Sequence, residues 1–175
     1  SNRLENMGTD SVVSLASRDS SFQQIITVKI SKKIKRELKK KFYTDTPKLF
    51  GPEMLSILII YAIWDLGLKV GKLVIDKEYT NYEMHMSSFL AKYYPEMTVW
   101  FRSISHQSLA HQAAWNVATK QKAPFGSALA KSMANLVFKE SLAAELLHPG
   151  MPTQDSQSTR LLLPVVYQNP LSLSR

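Results

Sequence analysis

Four histidines, fourteen carboxylates and no cysteine bound the chemistry open to this chain of 175 residues. Without thiols there is no disulfide framework, no Cys-ligated zinc, no iron–sulfur cluster and no thiolate nucleophile. His106 and His111 are five apart, which sends them to different faces of a helix. The zinc-protease pattern, two His four apart with an adjacent Glu, is absent, and His85 and His148 stand alone. Gly67-Leu68-Lys69-Val70-Gly71-Lys72-Leu73 is close in composition to a phosphate loop. It has three residues between the glycines where four are needed, and Leu73 stands where Mg²⁺ requires a hydroxyl. The acids are dispersed (Asp76, Glu78, Glu83, Glu96, Glu140, Glu145), and no serine occupies a nucleophile elbow. The sequence therefore predicts a protein that is not an enzyme, with no metal and no cofactor.

The informative chemistry is charge. The net charge is +8, and Lys29 to Lys41 holds eight cations (Lys29, Lys32, Lys33, Lys35, Arg36, Lys39, Lys40, Lys41) against one acid, Glu37. The other 162 residues carry 14 basic and 13 acidic groups and are close to neutral. On a helix, Lys32/Arg36, Lys35/Lys39 and Arg36/Lys40 are like-charge neighbours, each unfavourable by about 0.2–0.5 kcal/mol. Lys32 and Lys33 also fall in the first turn, where the helix dipole disfavours cations. Stability alone would have interleaved Glu, so the cluster points to an anionic partner whose contact releases counterions. Phe42 and Tyr43 follow it directly, and aromatics beside cations can stack unpaired bases. Tyr93, Tyr94, Trp100 and Phe101 lie further on, and Trp100 and Phe101 read as core. The candidate anion-binding set is thus Lys29, Lys32, Lys33, Lys35, Arg36, Lys39, Lys40, Lys41, Phe42 and Tyr43.

These residues need a scaffold. Ser1 to Asn6 precede Met7 and read as additions outside the fold. Gly8 to Ser21 is serine-rich and poor in large apolar groups, so 1–21 is expected to be a flexible arm. Phe22 to Ile30 alternates as a half-buried strand, with Ile26, Val28 and Ile30 on one face and Thr27 and Lys29 on the other. From Ser31, an acceptable N-cap, the period becomes helical to about Lys41, with Ile34 and Leu38 inward. Met54 to Trp64 is the most apolar window. It falls short of the roughly 20 residues that span a bilayer and is expected to be a buried helix, entered through Pro52 and ended near Gly67. Leu73–Ile75, the turn Asp76-Lys77-Glu78 and Tyr79–Met86 read as a hairpin, and Ser87 as the cap of a short helix to Tyr94. Thr98–Ile104 fits either strand or helix, whereas Gln107–Lys120 is helical. A last helix capped by Ser127 carries the stripe Leu129, Met133, Leu136 or Val137, Ala144 and Leu147. The methionines, Met84 and Met86 among them, read as core filler.

The expected fold is α+β and helix-dominated: one compact domain over 22–150, about five helices and a small sheet or hairpin, then an extended C-terminal tail over 151–175. Leu161, Leu162, Leu163, Val165, Val166 and Tyr167 return to apolar character in that tail and suit self-association into a homo-oligomer. A serine-rich arm, a basic element, a cysteine-free body and an apolar tail together resemble small viral matrix and nucleocapsid-type proteins. The expectation is a structural or binding protein that engages nucleic-acid phosphates, RNA first, or an acidic membrane surface. The alternative is an adaptor whose basic helix meets an acidic protein or an import receptor, since Lys32-Lys33-Ile34-Lys35-Arg36 fits a basic import pattern; behind it stands a small enzyme with a site assembled from residues distant in sequence. Either role places the protein inside the cell, in cytoplasm or nucleus, or peripherally on a membrane.

Overall fold

The computed structural model describes residues 3–16, 24–65, 69–104, 108–119, 132–137 and 147. Nine elements run in the order β1 (Ser11–Ala16), β2 (Gln24–Ile30), α1 (Lys32–Phe42), α2 (Phe50–Asp65), β3 (Lys72–Asp76), α3 (Glu83–Ala91), β4 (Thr98–Arg102), α4 (Leu109–Thr119) and β5 (Ser132–Val137). The architecture is α+β. Among the described residues there are four helices and two small sheets, so helix does not dominate as expected.

The first sheet has the order β1-β2-β5. β1 lies antiparallel to β2 from Ser11↔Ile30 to Ala16↔Ile25, and β5 lies parallel to β2 from Gln24↔Ser132 to Lys29↔Val137. Both outer strands correct the sequence reading. Ser11–Ala16, assigned to a flexible arm, is a strand because β2 offers its backbone a full ladder, and Val13 and Leu15 pack on the core. Residues 132–137, assigned to the last helix, are a strand. Their apolar groups suit either period, and pairing along β2 decides between them.

β2 is consequently buried on both faces. Ile26, Val28 and Ile30 join the main core with α2, while Ile25 and Thr27 turn to the side covered by α4, where Ala113 and Asn116 are buried. Thr27 was expected at a solvated face; α4 removes it from water. α2 is apolar on every side and buried along most of its length, from Phe50 to Ile63, as a helix packed between layers must be. Among the described residues no helix is long and apolar enough to cross a membrane.

The second sheet is a parallel pair, β3 and β4, running from Lys72↔Thr98 to Asp76↔Arg102. The expected hairpin does not form. Met86, Phe89 and Leu90 follow helical spacing, so the chain passes through α3 and returns as a β-α-β unit. Asn81 makes the entry at φ 74°, a left-handed conformation that Asn tolerates. Ser87, expected as a cap, lies inside α3. Met84 on the same helix is 83% exposed and fills no core. Trp100, expected in the core, projects from the outer face of β4, with Lys72 Nζ 5.3 Å and the Arg102 guanidinium 4.8 Å from its ring centre.

The residues ahead of β1 belong to the fold. Leu4 is buried in the main core. Tyr79 donates to Glu5 Oε2 at 3.1 Å directly over Gly51, where a Cβ would meet the Glu5 carboxylate and come within 2.6 Å of the Tyr79 ring. Residues 17–21 of the expected arm, the Gly67 stop, His106, His148, the Ser127 cap and the tail over 151–175 lie outside the described residues.

Candidate functional site

The basic segment forms as its spacing requires. Ser31 is the N-cap of α1, extended at φ −75° and ψ 151°, and its hydroxyl accepts from the Ile34 N–H at 3.2 Å. Leu38 and Lys35 are the buried residues of the helix, with Ile34 packed alongside. At 3.6 residues per turn, Lys39, Lys32, Arg36, Lys40 and Lys33 share an arc of about 120° that starts at Lys39, beside Lys35 and with its Nζ 6.0 Å from the Phe50 ring centre, and turns away from the core. Lys32, Lys33, Arg36, Lys40 and Lys41 are exposed, and Lys39 is half-buried. Lys39, Lys40 and Lys41 occupy the last turn, where the helix dipole favours cations.

Three predicted site residues do not belong on this face. Lys35 is fully buried; its ammonium donates to the Asn6 carbonyl at 2.6 Å and to Ser11 Oγ at 2.7 Å. Burial pulls its pKa below the usual lysine value, opposed by the charges of Asp10 and Glu5. Lys29 reaches solvent but is paired with Asp10 at 2.9 Å. Tyr43 lies in the core, edge-on to Phe50 with ring centres 5.3 Å apart. Burial, then the nearby Glu53 charge, pushes its phenol far above the usual tyrosine range, and no hydrogen bond of good geometry reaches its hydroxyl. Tyr43 is therefore structural. Phe42 is half-buried, with Lys41 Nζ 5.2 Å from its ring centre.

The residues that organise the site come from the segment set aside as arm. Asp10 Oδ1 accepts from the Lys32 N–H at 2.9 Å while Oδ2 holds Lys29. This one carboxylate offsets the cations at the start of α1 and supplies the acid its first turn lacks. The Lys32 N–H, then Lys29, hold the Asp10 carboxyl below the usual aspartate value. Arg36 Nε donates to the Met7 carbonyl at 2.9 Å, so residues 6–11 run along α1 as a tether. No local pattern announces a cap 22 residues upstream.

Beside the tether lies a shallow cleft of about 310 Å³, lined by Met7, Arg36, Lys39, Lys40, Tyr43, Thr44 and Pro47. A second polar pair stands apart from it. His85 Nε2 lies 2.7 Å from Glu53 Oε1 and ties α3 to α2. His111 sits half-buried near the start of α4, whose first turn is capped by Ser108 Oγ. Among the described residues no group of three or more His, Asp or Glu side chains is placed to hold a metal ion. The apolar tail proposed for self-association, Leu161 to Tyr167, falls outside the described residues.

Compared with protein-family models, with curated proteins and with solved structures, the chain matches none.

Proposed function

We propose that this is a non-enzymatic binding protein that holds the phosphate backbone of a nucleic acid, single-stranded RNA before others, on the outward face of α1. The observation that carries the reading is the arc of Lys32, Lys33, Arg36, Lys39 and Lys40. The buried side of the helix cannot turn it over, because Leu38 and Lys35 fix its orientation. Cations set three and four apart on a rigid helix lie about 5–6 Å from one another at Cβ. Their backbone is already ordered, so contact with consecutive phosphates costs side-chain entropy only. Lysine-dominated contact positions a strand and reads little sequence.

An acidic membrane offers the same charge, but Ile34 and Leu38 pack within the domain, so α1 has no apolar face to insert into lipid. The test is binding of a labelled single-stranded RNA across a salt series, using wild type and a Lys32/Lys33/Arg36/Lys40→Glu variant. Contact with several phosphates gives a log–log slope of about 0.7 per phosphate. The expected result is a steep slope in the wild type and loss of binding in the variant. Binding that is weak, or indifferent to the reversal, would remove the reading and favour an acidic protein partner.

A further inference from the structure

We infer that the cleft between the tether and α1 seats one unpaired nucleotide of the bound strand, its base on the apolar floor and its flanking phosphates on Arg36, Lys39 and Lys40. The inference rests on the proposed phosphate contact and adds to it a seat for a base.

The cleft has three walls. α1 supplies Arg36, Lys39, Lys40 and Tyr43; the turn after the helix supplies Thr44 and Pro47; the tether supplies Met7. The Arg36–Met7 hydrogen bond holds two of these walls together at 2.9 Å. Tyr43 cannot swing out to close the space, because its ring is locked against Phe50. Thr44 is held as well, its hydroxyl donating to the Lys40 carbonyl at 2.7 Å. The volume lies at the small end of the about 300–1,000 Å³ typical of ligand clefts, enough for one compact ring system.

Charge complementarity selects the occupant. Met7 and Pro47, with the edge of the buried Tyr43 ring beneath them, reward a flat, weakly polar body, and the three cations along the α1 wall reward anions beside it. A nucleotide within a strand is such a body, one base between two phosphates. A hydrocarbon chain would find too little depth and too much charge at the rim. An unpaired base is required, since a base within a duplex is stacked and out of reach.

The experiment compares a short oligo-uridine strand with an abasic ribose-phosphate strand of equal length, at one salt concentration and across a series. The proteins are wild type and Thr44→Trp, which fills the cleft from an exposed position. Oligo-uridine is expected to bind wild type about tenfold more tightly than the abasic strand, in the range of one base contact. Thr44→Trp should abolish that difference and leave the salt slope unchanged. Equal binding of the two strands by wild type, with a steep slope retained, would overturn the seat while the phosphate reading stands. Absence of any salt-dependent binding would overturn both. Since Thr44→Trp could disturb the fold, a second measurement follows the Met7 methyl resonance, assigned with Met7→Leu. It should shift with uridine monophosphate and not with ribose 5-phosphate; the same response to both, or to neither, would contradict the seat. A Met7 shift with anionic phosphatidylserine vesicles but not with uridine monophosphate would also overturn it, in favour of lipid.

Discussion

Lys35 and Lys40 stand on one helix, five residues apart, and the fold uses them in opposite ways. Lys35 faces inward, gives its ammonium to Asn6 and Ser11, and is closed to solvent. Lys40 faces outward in the arc beside the cleft and stays exposed. Type and local charge density are the same for both. What differs is whether the tether and β1 cover the position. A basic cluster is therefore not one functional unit: its inward side stabilises, and its outward side is free to bind.

The contrast can be broken from the inside first. Leu38→Ala removes a fully buried side chain at the same interface as Lys35, and thermal or denaturant unfolding should show a loss of about 2–5 kcal/mol. Lys35→Met keeps the volume but leaves the Asn6 carbonyl and the buried Ser11 hydroxyl without their donor. A loss of about 1–3 kcal/mol is expected, at unchanged RNA affinity. A gain in stability would mean that dehydrating the ammonium outweighs its two hydrogen bonds.

Asp10→Asn tests the carboxylate that serves both sides, since it caps α1 and neutralises Lys29. Asn keeps an acceptor for the Lys32 N–H and removes only the charge, so the loss should be under about 1 kcal/mol, read by denaturant titration. Its pH dependence has a definite sign. The Asp10 pKa is lowered on folding, so its contribution is present above the ordinary value of 3.8 and fades as pH falls through the folded-state value. Wild type and Asp10→Asn should differ near neutrality and converge in acid.

Glu78 runs the other way and provides the smallest effect. Its side chain reaches solvent, but partial dehydration by its surroundings, then the Asp76 charge, raises its carboxyl. What it contributes to stability is complete below the ordinary value of 4.5 and is lost as pH rises through the folded-state value. Glu78→Gln should therefore match wild type in acid and be slightly more stable at neutral pH in thermal melts. The reverse order would contradict the upward shift of this carboxyl.

The strand-to-helix switch at Ser31, the buried helix α2 and the helical character of α4 were all legible, because period and capping are local signals. β1 and β5 were not. Ser11–Ala16 is a short apolar run inside a serine-rich stretch that resembles an arm, and Ser132–Val137 fits a helical stripe, until pairing with β2, adjacent in the chain to the first and far from the second, makes both strands. The hairpin was misread for a related reason: alternation over a few residues of Tyr79–Met86 concealed the longer helical spacing to Leu90. At the site, the sequence located the charge but not its orientation. Six of the eight cations remain unburied and outside the Asp10 pair, while Lys35 and Lys29 are claimed by residues dismissed as arm. Tyr43 followed the cluster in sequence yet turned into the core against Phe50.

The central claim is that only the outward side of α1 meets phosphate. The most direct test is the salt dependence of single-stranded RNA binding for wild type, Lys35→Met and Lys40→Met side by side. Loss of one phosphate contact should lower the log–log slope of Lys40→Met by about 0.7, with Lys35→Met keeping the wild-type slope. Equal slopes for all three proteins, or a fall confined to Lys35→Met, would contradict the account.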